Sequence, residues 1–439
     1  MQSSTSKVLL LSLNSDLLAG GGESALLRIL EVRPDVVGVT VRNVDNVDRL
    51  TPKTYLPEVF DLIRRIKQTI SAPLVLGGSG YSLFPEEILR ITEADAGVIG
   101  AGEQIIEGVI GALTGRETPQ STSDVLYRDA PANSSTRAIP KCPPGNLPRR
   151  DPDIFQYYLD QSGMANAQTQ RGCPFRCAYC TYPKLEGRTL IAFPVEQVLD
   201  DLKGLARGGA RYVFFADSVF NASRSHVLTL AERFIEEGLN IKWGAFFAPR
   251  GLRTEDFGLL KRAGLTHVEF GTDTLANDTC RSYDKSFSPE DVLEADEAAQ
   301  KNELHVCHYL IFGGPGETME TAGETVSLAL RFTHSVIMPY LGIRIFPGTE
   351  IARLAEEEGL ILPGESLLDP KFYVSRSADP AALERMVRSM TAGRANWIFP
   401  DEFPKLQSRL QTLRGKGRIG PLWEFTPYRN TFLRLDGSS

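Results

Sequence analysis

The stretch from Gln170 to Tyr182 reads Q-R-G-C-P-F-R-C-A-Y-C-T-Y and sets Cys173, Cys177 and Cys180 in a C-x3-C-x2-C array. Soft thiolate ligands select zinc or iron–sulfur clusters. A closed zinc site takes four ligands and favours paired C-x2-C knuckles. This chain has no second knuckle, and no histidine precedes His226. Three thiolates on one short loop suit a cubane 4Fe–4S cluster with one iron left free of protein, whereas an electron-transfer cluster is normally held by four. An open iron is a place to bind and break a ligand. Gly172 and Pro174 let the loop turn, and Phe175 and Tyr179 shield it. A zinc loop or a structural cysteine cluster is the alternative.

Composition bounds the rest. A chain of 439 residues is long enough for two or three domains. Lys plus Arg number 48 against 55 for Asp plus Glu, a net charge of −7. That balance argues against sequence-independent nucleic-acid binding, which needs clustered basic charge. The apolar run 8–13 is too short for a signal-peptide core, and no run approaches a membrane span. The expected setting is cytoplasmic, with no membrane and no nucleic-acid partner. Cys142, Cys280 and Cys307 lie far apart and read as buried free thiols of a reducing compartment.

The cysteines need a scaffold, and the periodicity supplies an α/β one. Apolar strands at 7–13, 36–41, 74–76 and 96–99 alternate with helices at 24–30, 55–70 and 84–91, and Gly77-Gly78-Ser79-Gly80 and Gly100-Ala101-Gly102-Glu103 follow two strand ends. This pattern predicts a Rossmann-like parallel sheet over 1–115, with any ligand at the strands' carboxyl ends. The Ser-, Thr- and Pro-rich stretch 118–147 predicts a linker within 116–166. From Ala167 the alternation resumes: a first strand runs into the cysteine loop, and 212–216, 241–247, 267–270, 306–312 and 341–346 follow. Six units over 167–350 fit a partial (β/α)6 TIM-type barrel, whose chemistry belongs at the C-terminal strand ends. Residues 351–439 read as a helical, aromatic-rich capping region.

The cysteine array resembles the cluster loop of the radical S-adenosylmethionine (SAM) enzymes. The resemblance implies that SAM chelates the open iron, that its reductive cleavage yields a hydrogen-abstracting radical, and that Tyr179 lies near the adenine. It assigns strand-end contacts as well. Asp217, Ser218 and Asn221 would meet SAM or substrate, Asp273 the ribose or the methionyl amine, Gly313-Gly314-Pro315 the adenine, and Arg344 the SAM carboxylate. The local alternative for Ser218 and Asn221 is a helix N-cap. His308 and Cys307 are adjacent on a strand and must face opposite ways.

The first half resembles the cobalamin-binding domain that precedes many radical SAM enzymes, through R-N-V-D-N, L-G-G-S-G and G-A-G-E. Two departures weigh against bound cobalamin. The D-x-H-x-x-G segment that supplies a histidine to cobalt is absent, and one βα unit is short. The layout is therefore closest to the radical SAM diol-dehydratases of aminoglycoside biosynthesis, which act on amino sugars. In that reading Asp217, Glu269 or His308 shuttles the proton. A flavodoxin- or ferredoxin-type donor supplies electrons, and an NAD(P)H-dependent reductase takes the product. A cobalamin-dependent C-methyltransferase and a non-catalytic iron–sulfur redox module are the alternatives.

Overall fold

The computed structural model describes residues 8–12, 22–119, 122–129 and 150–428. Its first sheet has five strands in sequential order: β1 Val8–Ser12, β2 Val36–Thr40, β3 Leu74–Gly77, β4 Ala96–Val98 and β5 Val125–Tyr127. The first four run parallel and β5 antiparallel. Strand side chains alternate between faces. Val37, Val39, Leu74 and Leu76 pack on the helices Glu23–Val32, Leu56–Thr69 and Pro85–Thr92. Val36, Val75, Ala96 and Val98 pack beneath the helix Ile106–Leu113. The edge strand β5 comes from the stretch expected to be linker: Val125 buries against this second face, which is why a short apolar run there becomes sheet. Residues 130–149, and Cys142 with them, lie outside the described residues.

The second sheet begins with β6 Ala165–Ala167. After a two-stranded ribbon, β7 Gln170–Arg171 with β8 Ile191–Ala192, it continues through β9 Tyr212–Phe215, β10 Lys242–Phe247, β11 Leu265–Asp273, β12 His305–Phe312 and β13 Val336–Leu341. Its order is β13-β12-β11-β10-β9-β6, parallel throughout. This is the expected six-stranded partial barrel. Val213, Phe215, Trp243, Val268 and Phe270 face the surrounding helices.

The sixth strand is not where periodicity put it. The run at 341–346 leaves the barrel, and its β14, Ile343–Arg344, pairs antiparallel with β15, Phe372–Tyr373. The true sixth strand contains Pro339, which cannot donate to a ladder and is tolerated because β13 is the sheet edge.

The two halves share one core. Ile343, Ile345, Ile351, Ala355 and Tyr373 join the cluster built on the first sheet's helices. Within this joint Arg344 Nε donates to Asp45 Oδ2 at 2.8 Å, with side-chain exposures of 3% and 1%. Its remaining nitrogens donate to the Ile345 carbonyl at 2.6 Å and the Leu367 carbonyl at 2.7 Å. The guanidinium also lies 4.7 Å from the Phe346 ring centre.

At the other end of the barrel the C-terminal segment closes the floor. Trp423 packs edge-on to His267 at 5.2 Å, and a side chain at Gly420 would run into the Tyr212 ring. Among the described residues no helix is long and apolar enough to cross a membrane.

Removing one partner of a buried ion pair leaves the other charge unpaired, at a cost of about 3–5 kcal/mol. Asp45→Asn is therefore expected to lower the urea midpoint sharply, and the paired change Asp45→Leu with Arg344→Met to recover most of the loss.

Candidate active site

The cysteine loop is held from both sides. Gly172 takes φ +86°, and a Cβ there would stand 2.1 Å from the Thr189 carbonyl, so only glycine fits. The Cys173 amide donates to the Gly187 carbonyl at 3.0 Å and the Cys180 amide to the Cys177 carbonyl at 3.0 Å. Ala178 donates to the Tyr283 carbonyl at 3.0 Å and accepts from the Ile351 amide at 2.9 Å. Burial pushes the Cys173 thiol up and the Cys180 thiol up to about 12. A cubane takes one thiolate at each of three corners, one for each cysteine of the loop.

Beside the thiols lies a buried charge pair, of which the sequence reading named Asp273 and missed Lys285. Lys285 ion-pairs with Asp273, with side-chain exposures of 4% and 5%. Its ammonium donates to Tyr179 Oη at 2.9 Å and approaches Cys177 Sγ at 3.6 Å. Tyr179 Oη in turn donates to Asp273. Asp273 sits at φ +60°, a left-handed conformation that side chains other than glycine adopt at a cost. Burial pulls the Lys285 pKa down, while the neighbouring cysteines pull it up. In sequence Lys285 stands in an ordinary polar run; its one signal is that it lies between Tyr283 and Phe287.

The other strand-end residues divide by what already occupies them. Asp217, fully buried, accepts from the Thr169 amide at 2.7 Å, from the Thr169 hydroxyl and from the Gln170 amide, tying the entrance of the cysteine loop to the end of β9. Ser218 donates to the Gly172 carbonyl at 2.8 Å. Asn221 donates to the Ala248 and Arg250 carbonyls, both at 2.9 Å, and accepts from the Ala248 amide at 2.8 Å. Its amide is spent on the loop after β10, so it is a brace rather than a SAM contact or an N-cap. Arg344 has Asp45 and two carbonyls as partners, and the SAM-carboxylate role falls away.

His308 does face away from Cys307, but it faces out of the barrel. It contacts Thr272 Oγ1 at 2.7 Å and Asp296 at 3.0 Å, and stacks on Phe332 at 4.2 Å in the sheet–helix layer. It is removed from the proton-shuttle set. Glu269 faces inward and accepts from Tyr309 Oη at 2.7 Å and Trp423 Nε1 at 2.9 Å. Gly313 takes φ +91°, and Pro315 is buried in the same turn. A side chain at Gly314 would strike the Tyr283 ring, so internal packing explains that glycine. Glu317, also missed, is buried with its carboxyl pushed up to about 7 by burial.

A cavity of about 1220 Å³ separates the first sheet's strand ends from the start of the barrel. Thr40, Arg42, Asn43, Gly77 and Gly102 line one side and Gln168, Arg171 and Tyr182 the other. It also reaches along the sheet face formed by Gly38, Val75 and Val98 under Ile106 and Ile110. Arg171 and Glu103 pair across the two halves at 2.7 Å.

Residues 168–329 match the Radical SAM superfamily, so the chain carries a radical SAM domain. It is 25% identical over 327 residues to an uncharacterized methyltransferase of Pyrococcus horikoshii, covering 71% of this chain and 69% of that protein. To tryptophan 2-C-methyltransferase of Streptomyces laurentii it is 23% identical over 393 residues, covering 74% and 65%. The fold matches a radical SAM methyltransferase of Kitasatospora setae solved with tryptophan and a SAM analogue, with TM-score 0.85, 20% identity, and 98% and 99% of the two chains covered. It also matches a cobalamin-dependent radical SAM enzyme solved with aqua-cobalamin, with TM-score 0.67, 17% identity, and 96% and 72% covered. These proteins lend no support to dehydration of an aminoglycoside-type sugar.

Two outcomes follow. Replacing Cys173, Cys177 or Cys180 by Ala is expected to abolish iron and sulfide uptake on anaerobic reconstitution, while Cys280→Ala and Cys307→Ala keep it. Burial raises the Asp217 carboxyl from 3.8 to about 7 despite its three donors. Its contribution to stability is full below the unfolded value and is lost as the pH rises through about 7. Asp217→Asn is expected to flatten the fall in urea midpoint between about pH 4 and pH 7, the span from the unfolded value to the raised one.

Proposed function

We propose that this chain is a cobalamin-dependent radical SAM methyltransferase acting on a small molecule, its methyl group ending on carbon. The observation that carries the reading is the cavity of about 1220 Å³ between the strand ends of the first sheet and the loop bearing the cysteines. Pockets for drug-sized ligands run to about 1,000 Å³, so this one suits a larger group. Its position at the carboxyl ends of parallel strands is where open α/β sheets bind ligands. The residues fit a corrinoid in shape and polarity. Gly38, Val75 and Val98 make an apolar trough for a tail, and Thr40, Arg42, Asn43 and the Gly77–Gly78 turn offer polar contacts at its mouth. No imidazole lines the cavity, so cobalt would be held without a protein histidine.

When bound, the cluster supplies an electron and an open iron for SAM, and the corrinoid a methyl carrier. The chain's own contribution is placement. Cys173, Cys177 and Cys180 would each take one corner of the cluster. Asp273 would meet the methionyl amine of SAM, with Lys285 and Tyr179 fixing its carboxylate beside the thiols. Asp217 and Ser218 hold the loop that carries Cys173. An external one-electron donor is required.

The reading is tested on anaerobically reconstituted protein passed through a desalting column after incubation with hydroxocobalamin. Retention of about one corrinoid per chain, together with the cluster's absorbance, is the outcome expected of a carrier site. Retention of the cluster with complete loss of the corrinoid would return the chain to cobalamin-free radical chemistry.

A further inference from the structure

The cysteine loop is reached from outside through a second opening. None of its three cysteines lines the large cavity. Cys177 and Cys180, both only half-buried, line an adjoining cleft of about 330 Å³ that shares Ser82 and Gly100 with it. Gly348 and Thr349, ahead of the helix Glu350–Glu357, form the far wall.

The rim of this cleft is charged, and its depth is not. Arg176, Lys184 and Arg188 reach it from the cysteine segment, against Asp124 and Glu350 from elsewhere. Glu350 is already forked to Arg353. Arg176 and Arg188 are exposed. Arg176 meets Asp284 at 3.9 Å, a separation and exposure at which an ion pair is worth little. No charged side chain lining the cleft is buried, so nothing there is built to grip a small ion. In a chain of net charge −7, two of the three cluster cysteines thus open onto a positive flank.

Reducing a cluster means bringing one electron to these thiolates from another molecule. Cys280 and Cys307 stand apart and buried, so among the described residues no second cluster relays it. We infer that the cleft is the docking face of the electron donor, and that the donor is a protein carrying acidic side chains around its redox group. Transient redox complexes bury little area, and rim charges act on their encounter rate. Long basic side chains around a shallow opening suit that kind of contact. The inference rests on the cluster half of the proposed function, names its partner, and does not depend on the corrinoid.

The probe is flavodoxin, an acidic flavoprotein, mixed with full-length, cluster-loaded, corrinoid-free protein. Its affinity is read in the oxidised state from the amide shifts of isotope-labelled flavodoxin. Electron transfer is read by stopped flow from cluster to flavin, the cluster having been photoreduced with a deazaflavin and desalted. One electron leaves the cluster, and the flavin takes it with one proton from water to give the blue neutral semiquinone. Free riboflavin, the same ring system without the acidic protein, is the uncharged control.

At low ionic strength, Arg176→Glu with Arg188→Glu should weaken flavodoxin binding and slow its electron transfer by about tenfold or more, the lower end of what charge steering supplies. The deficit should shrink as salt is raised. Riboflavin rates, iron and sulfide content and thermal midpoint should not change. Arg28→Glu with Arg64→Glu, an equal charge change at exposed positions outside the cleft, should cost less than about threefold.

A loss no greater than in that control pair, a flavodoxin rate indifferent to salt, or no flavodoxin binding would each overturn the docking face. An equal loss with riboflavin would too, because the effect would then lie in the cluster and not in the encounter. Failure to take up a cluster would overturn the reading beneath it. Corrinoid retention is scored on separate preparations, so its loss would remove methyl transfer and leave this face standing.

Discussion

A buried charge cannot be left without its opposite, and the joint between the two halves of this chain is built on that constraint. Arg344 and Asp45 are almost wholly withdrawn from water, and every guanidinium nitrogen of Arg344 has an acceptor. The pair sits in a continuous apolar core to which both sheets' elements contribute. Such a pair adds little net stability over an apolar substitute, but it penalises any misregistered docking, which would strand both charges. Asp45 is also a lining residue of the large cavity, so the contact that aligns the halves helps define the space between them.

The same constraint explains the cysteine loop. Asp273 and Lys285 lie beside the cysteine loop, in which burial pushes the Cys173 and Cys180 thiols up. Cluster ligation requires the thiol protons to leave, and three thiolates would then stand near the buried ammonium. Lys285 supplies the local positive charge, and Asp273 and Tyr179 keep it in place without water.

Much of this was legible in the residues. The cysteine spacing, the alternation of strands and helices, and the opposition of Cys307 and His308 all survive in the fold. What sequence could not reveal was which face of an apolar strand points inward. Along β12, Val306, Leu310 and Phe312 pack outward while Tyr309 and Ile311 point in, and both sets are apolar, so the inside of the barrel has no signature. The misplaced sixth strand has a related cause: the alternating run around Arg344 imitates a buried strand, whereas the real one carries a proline that suits a sheet edge. Asn221 and Lys285 depended on partners 12 to 108 positions away, beyond any local pattern.

Trp423 and the backbone at Gly420 seal the barrel's floor against Tyr212 and His267. Covering that end leaves the opposite one, where the strands finish beside the cysteines and the Asp273–Lys285 pair, as the end of the barrel at which chemistry can meet a ligand. The C-terminal segment, far from the cysteines in sequence and at the other end of the barrel from them, thus decides which end of the barrel is used.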